Sequence, residues 1–350
     1  MHTPKRFSIL SFGAGAIGTY IGGSLALAGH RVVFIERPDV AADLRERGLR
    51  LDLSLEGRGV REIREGVAFV ASLEDALALG PFDVALFALK SYDTAAALEG
   101  MKPFAAQLPP VLCLQNGVDN EPAIIEALGP GMAIYGTVTS AVGRPRAGDI
   151  VLEKKRGVGV AAGHVLSSAL AEALDQANLN CKLYPRAADM KWSKLLTNLL
   201  ANPTSAILDM TAAEVFAHPG LYRAEIRQLR ECLAVMRAQG IRVVDLPGTP
   251  VRALALAAYL PLWLSKPLLS KAAGAGRGAK MPSFHIDLHS GRGKSEVEYL
   301  HGAVSRFGRL TGVPTPVNNL LTTTLLALTR GEIPLDTYAR QPEKFLDLLK

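Results

Sequence analysis

Cysteine is scarce: Cys113, Cys181 and Cys232 are the three in 350 residues. Their spacings form neither a metal-binding pair nor a disulfide framework, so no metal site is expected and a reducing compartment, the cytoplasm, is. Long apolar runs are missing as well. The longest, Ala253 to Leu264, contains Pro261 and is bounded by Arg252 and Lys266. It falls well short of the ~20 residues that span a bilayer, so no membrane partner is expected. The N-terminal apolar run is cut at Gly13, too early for the apolar region of a signal peptide. No run of like charge reaches five, so the net charge of +6 is not gathered into a nucleic-acid face, and no nucleic-acid partner is expected. Small anionic ligands account for the basic excess more simply.

What is present is ordinary globular material, 49% hydrophobic and 21% charged, with length enough for two domains. From Phe7 to about Pro185 short β-rich runs alternate with helical stretches, which predicts an α/β domain with a mostly parallel sheet covered by helices. Phe7–Phe12, Arg31–Ile35, Asp83–Leu89 and Val111–Leu114 read as buried strands. Ala16–Ala28, Val40–Arg47, Thr94–Gln107 and Glu121–Leu128 carry apolar residues at helical spacing. Further β structure is expected in Gly59–Val70 and Tyr135–Val160. After Asp189 the β–α alternation stops and long helical stretches take over. The expected organisation is a Rossmann-type dinucleotide-binding domain over 1–187 and a mainly α-helical substrate and catalytic domain over 188–350. Within the latter, 246–282 stands apart as a Pro-, Gly-, Ala- and Leu-rich insertion.

Gly13-Ala14-Gly15-Ala16-Ile17-Gly18 follows the first strand directly and opens the first helix. In that setting the first glycine permits a tight turn and the second lets backbone approach a pyrophosphate. The third lets helix pack on strand, with the helix N-terminus facing the phosphates. A plain glycine-rich turn is the alternative, and the flanking strand and helix argue against it. The second strand ends in Glu36-Arg37. Glu36 stands where a carboxylate would bond the adenosine ribose of NAD, whereas Arg37 suits a 2′-phosphate or simply pairs with Glu36. Arg37 tips the expectation to NADP(H), with NAD(H) open.

Leu89-Lys90-Ser91-Tyr92 and Leu114-Gln115-Asn116-Gly117-Val118 each end a predicted strand, where ligands of open α/β sheets bind. Then come Lys191-Trp192-Ser193-Lys194 through Asn202-Pro203, Ser295-Glu296 through Ala303, and Gly312 through Asn318. Together these segments resemble the ketopantoate reductase (2-dehydropantoate 2-reductase) family in order and spacing, over nearly the whole chain. The resemblance implies NADPH-dependent reduction of a small 2-keto acid, with Lys194 as general acid. It also implies that Asn116 contacts nicotinamide and substrate, that Asn198 and Asn202 bond the substrate, that Ser283 holds its carboxylate, and that Glu296 bridges cofactor and substrate hydroxyl. Lys90 would lie near the cofactor phosphates or ribose, and a homodimer follows by analogy.

The residues support part of this by themselves. Lys194, Asn198 and Asn202 fall at i, i+4 and i+8, one polar stripe on a helix otherwise made of leucines, as a wet cleft would require. Solvent exposure of the stripe is the plainer alternative, as are a helix-terminal carboxylate for Glu296, with Ser295 as cap of a helix to Leu310, and a solvated Lys90.

Several departures bear on the substrate. Gly291-Arg292-Gly293-Lys294-Ser295-Glu296 has one residue more than the family's usual Gly-Arg-Pro-Thr-Glu, and His301-Gly302 replaces Asn-Gly, which brings in a titratable ring. Ala212 stands where an asparagine is expected. The 246–282 insertion could be a lid, an oligomerisation pair or, with Arg252, Lys266, Lys271, Arg277 and Lys280, a surface-active segment; a helical insertion bordering the active site is favoured. Two rival functions stand beside the main one: a 2-hydroxyacid dehydrogenase for bulkier aryl or aliphatic substrates, and a non-catalytic NADP-binding sensor.

Overall fold

Near-continuous apolar strands need cover on both faces, and the computed structural model, which describes residues 5–274 and 281–350, provides it. Eight strands form one sheet in the spatial order Cys181–Tyr184, Val158–Ala161, Ala133–Val138, Val111–Cys113, Val84–Phe87, Ser8–Phe12, Arg31–Ile35, Val67–Val70. All neighbours are parallel except Val158–Ala161 against Ala133–Val138. Successive side chains go to opposite faces: Ile9, Val32, Phe34, Val84 and Leu86 join one buried cluster, while Leu10, Val33, Ala85 and Phe87 join the other. The chain leaves Ser8–Phe12 towards Arg31–Ile35 on one side and later adds Val84–Phe87 on the other. The crevice at the carboxyl end of the first strand is therefore the topological switch point of a Rossmann-type sheet.

The extra β structure expected over Gly59–Val70 and Tyr135–Val160 is present. Part of it builds a second sheet, ordered Val60–Ile63, Leu49–Asp52, Asp149–Lys154, Ala141–Gly143.

The chain divides into two compact units, Met1–Lys191 with Leu246–Thr249, and Trp192–Asp245 with Pro250–Lys350. The division falls inside the helix Ala187–Leu199 rather than ahead of it. Leu246–Thr249 joins the first unit because the Thr139 hydroxyl donates to the Pro247 carbonyl at 2.8 Å. The second unit is helical among its described residues. Its longest helices are Pro219–Ala238, Val297–Thr311 and Pro316–Thr329. The remainder of the 246–282 segment forms helices Val251–Ala257 and Leu262–Gly274; Arg277 and Lys280 lie outside the described residues. Among the described residues no helix is long and apolar enough to cross a membrane.

Candidate active site

The glycine turn is braced from three directions. Gly13, at φ +90°, donates its N–H to the Ile35 carbonyl at 3.0 Å. The Ala14 N–H donates to Glu36 Oε1 at 2.6 Å, and the Ala14 carbonyl accepts from the Gly148 N–H at 3.0 Å. Gly18 has no freedom to change, since a Cβ there would lie 2.3 Å from the Gly13 carbonyl oxygen. A Cβ on Gly15 would instead meet nothing within 4 Å.

Gly15 is also the N-cap of helix Ala16–Leu27, whose first turn has no acidic residue and no side-chain cap. Its leading N–H groups, those of Ala16, Ile17 and Gly18, have no carbonyl one turn back to serve them. An open cradle over a bare helix N-terminus is what a dinucleotide pyrophosphate requires, so the residues present fit that group. Glu36 braces the turn, its Oε1 accepting the Ala14 N–H and its Oε2 the Arg37 N–H at 3.3 Å. The Arg37 side chain is 76% exposed at the end of its strand, 3.9 Å from Asp39.

The loops carrying Lys90 and Asn116 are joined by a buried polar network. Gln115 Nε2 donates to the Leu89 carbonyl and to the Thr94 hydroxyl, at 3.0 and 2.8 Å. The Asn116 carbonyl accepts from the Ser91 hydroxyl at 2.9 Å and from Asn120 Nδ2 at 2.7 Å. Lys90 and Asn116 are themselves half-buried, so neither is a freely solvated side chain.

One structural residue escaped the sequence reading. Lys191, buried on helix Ala187–Leu199, reaches the Glu121 carboxylate at 2.7 Å and donates to the Gln115 and Gly136 carbonyls at 2.8 and 3.2 Å. Burial works most strongly against charge on this lysine, yet Glu121 together with Cys113 and Tyr135 raises its pKa on balance, while burial pushes the Glu121 carboxyl up as well. Lys191 thereby holds the residue immediately before Asn116. The available signal was a second lysine one turn ahead of Lys194 on a helix of leucines.

In the helical unit the expected single stripe is broken. Lys194 and Asn198 lie half-buried on helix Ala187–Leu199, but Ala201 takes a left-handed conformation at φ 55° and Asn202 starts a new helix, Asn202–Leu208. Two causes act together. Pro203 supplies no N–H and suits the first turn of a helix, and the Ala201 N–H is captured by Glu225 Oε2 at 2.7 Å. Asn202 is nevertheless brought to Ser283, their side chains 3.3 Å apart, and its Oδ1 accepts the Phe284 N–H at 3.1 Å.

Glu296 is buried, and as N-cap it precedes helix Val297–Thr311 by one residue. The expected cap, Ser295, sits one position further out, where its hydroxyl accepts the Val297 N–H at 3.2 Å. A short polar side chain can bond backbone two residues on without being the cap.

Behind the break runs a chain of buried groups that spacing did not suggest. Burial pushes the Glu225 carboxyl up to about 7, although Thr204, Ala201 and Gln228 all bond it. Gln228 gives its amide N–H to Glu225, so its Oε1 accepts from His301 Nε2 at 2.9 Å. Burial takes His301 down to about 3, so the ring expected to titrate is neutral at physiological pH.

The ketopantoate reductase PanE/ApbA description matches residues 9–163, and its C-terminal counterpart matches 186–329. A 2-dehydropantoate 2-reductase of Mesorhizobium japonicum is 29% identical over 336 residues, 88% of this chain and 93% of the relative. The crystal structure of a PanE/ApbA family ketopantoate reductase from Ralstonia eutropha superposes with TM-score 0.75 at 26% identity, covering 93% of this chain and 99% of that one. D-mandelate dehydrogenase, solved with NADH and anilino(oxo)acetate, shares the fold at TM-score 0.72 and 21% identity, covering 92% and 99%. With both of its halves matched in order and a glycine cradle at the switch point of the sheet, the chain belongs to the ketopantoate reductase PanE/ApbA family.

Proposed function

We propose that this chain reduces ketopantoate, or a branched 2-keto acid of similar size, to the 2-hydroxy acid at the expense of NADPH. The observation that carries the reading is the braced glycine turn, whose second glycine opens onto free space above a bare helix N-terminus. When bound, the cofactor supplies hydride to the keto carbon. Gly15, Ala16, Ile17 and Gly18 would hold its pyrophosphate through backbone, with Gly13, whose N–H serves the Ile35 carbonyl, setting the turn that presents them. Supporting NADPH is the exposed Arg37 guanidinium at the end of the second strand, beside a Glu36 already committed to the turn. Lys90 serves the phosphates or ribose, and Asn116 the nicotinamide and the substrate.

Lys194 carries the proton. As the carbonyl oxygen gains charge, its ammonium stabilises that charge and then delivers the proton, leaving a neutral amine that solvent reprotonates. Asn198 and Asn202 bond the substrate, Ser283 holds its carboxylate, and Glu296 bridges cofactor and substrate hydroxyl. Ser283 is exposed and its rotatable hydroxyl meets Asn202, a partner it can exchange for a carboxylate. The family likeness suggests a homodimer.

The test is NADPH oxidation across a panel of 2-keto acids, with kcat/KM expected to be highest for ketopantoate. An aryl keto acid ranking far above it would assign the chain to bulkier 2-hydroxy acids, and cofactor binding with no turnover of any keto acid would make it a sensor. Lys194→Ala should lower kcat by about 100-fold or more, the range of general-acid effects, with NADPH affinity kept. Retention of more than about a tenth of the turnover removes Lys194 from that role.

A further inference from the structure

Three potential metal ligands converge in the helical unit, none of them among the residues given roles above. His285 lies in helix Ser283–Leu288 and His289 at its C-cap, one helical turn on, with ring centroids 4.2 Å apart. Asp209, the C-cap of helix Asn202–Leu208, sets Oδ1 2.8 Å from His285 Nε2. One ligand atom from each of the three lies within 4.8 Å of the other two.

A hydrogen bond alone explains the pairing of His285 with Asp209, but not the third member. Histidines at i and i+4 present their rings on one side of a helix, a spacing suited to two ligands of one ion. Asp209 also holds a left-handed conformation, φ 48° and ψ 48°, where glycine or asparagine is the cheaper residue. That conformation is retained with a carboxylate aimed at the imidazoles.

Two imidazole nitrogens and one carboxylate oxygen are the donor set of a borderline divalent ion, zinc above all, and not of calcium or magnesium. Ligand bonds of about 2.0–2.2 Å in a tetrahedron put donor atoms a little over 3 Å apart. The His285–Asp209 pair would open slightly and His289 would draw in, small movements for side chains of which Asp209 is 54% exposed.

We propose that Asp209, His285 and His289 bind one zinc-type divalent ion, with water in the remaining position, and that the ion clamps helix Ser283–Leu288 to the end of helix Asn202–Leu208. The same two helices are already fastened at their N-termini, where Asn202 meets Ser283 and the Phe284 N–H. A metal at Asp209 adds a second fastening. The site does not depend on the reductase reading, and either can fail alone.

The experiment uses the full-length chain without a histidine tag, stripped with chelator and titrated with Zn²⁺ and, in parallel, Co²⁺. One equivalent should bind, cobalt should show the intense visible bands of four- or five-coordination, and saturating zinc should raise the melting temperature. His289→Ala, at an exposed position that leaves the His285–Asp209 hydrogen bond intact, should weaken zinc binding by about 10-fold or more and abolish the melting shift; Asp209→Asn should do the same. Absence of stoichiometric binding, or binding that none of His285→Ala, His289→Ala and Asp209→Asn weakens, overturns the proposal.

Discussion

Two backbone irregularities shape this molecule, and they are encoded in opposite ways. At the glycine turn the odd conformation and the residue that tolerates it coincide: Gly13 stands at φ +90°, and Gly18 stands where a Cβ would strike the Gly13 carbonyl. At the helix break an alanine, Ala201, holds φ 55°, a conformation its own side chain does not favour, with Pro203 two residues on as the one local signal. Its conformation is imposed by Glu225, 24 residues further on, which captures the Ala201 N–H. A local device can be read in a short window of sequence. A device held by a distant carboxylate can only be found once the chain is folded.

If this contrast is right, distant buried supports should cost more to remove than single atoms added to the local turn. The largest effect is expected at Lys191. Lys191→Met strands the buried Glu121 carboxylate and leaves the Gln115 and Gly136 carbonyls without their donor. Breaking one side of a buried pair costs about 3–5 kcal/mol. Urea unfolding should register that loss in the first unit, and adding Glu121→Gln should recover part of it. A loss below about 1 kcal/mol would mean that water reaches the pair and that the support is superficial.

Glu225 comes next, and its effect has a pH signature. With a folded-state pKa near 7 against an ordinary 4.5, the native protein keeps a proton that the unfolded chain has released between those values. Stability therefore falls as pH rises through that window, by on the order of 3 kcal/mol in all. Glu225→Gln removes the titration, since the amide can face the Thr204 hydroxyl, which turns to accept. The variant should gain on the parent steadily from about pH 4.5 to 7 and hold a constant margin above. His301 works in the other direction: its pKa falls to about 3 from 6.5, so its share of stability is lost as pH drops below 6.5. The two slopes overlap and oppose each other in the parent, which is why the difference between variant and parent is the quantity to measure. Parallel stability curves would show that Glu225 does not titrate where its burial places it.

The same division explains what could be read beforehand. The sheet, its helical cover and the dinucleotide turn rest on short-range signals: apolar strands, helical periodicity and a glycine hexapeptide between them. The stripe of Lys194, Asn198 and Asn202 is read from spacing as one helix, and the structure splits it over two. Spacing predicted one helix, and Pro203 was a visible warning, but the capture of Ala201 by Glu225 was not. Lys191 was hidden for a different reason, because only the fold brings it to Glu121, and surface is the ordinary place for lysine. His301 could be flagged as a departure, yet its neutrality follows from burial beside Gln228, which composition cannot show. The Asp209, His285 and His289 cluster is not legible in sequence because its ligands come from two helices, Asp209 lying 76 residues before His285.

The smallest effects sharpen the comparison within the turn itself. Gly15→Ala and Gly18→Ala add the same methyl group at the N-cap and in the first turn of one helix, where backbone preference alone would favour the Gly18 change. The surroundings reverse that order, with open space at Gly15 and the Gly13 carbonyl at 2.3 Å from the added atom at Gly18. Overpacking of that kind costs about 1–3 kcal/mol, whereas the Gly15 variant should stay within about 0.5 kcal/mol of the parent. Dinucleotide affinity should separate them in the reverse sense. The methyl at Gly15 projects into the cradle and should weaken NADPH binding by about 10-fold, with Gly15→Val weakening it further. Folded Gly18→Ala protein should bind with little change once its stability is allowed for. Calorimetric titration of both variants decides the matter: equal affinities would mean that the open space over Gly15 is not where the cofactor's phosphates lie.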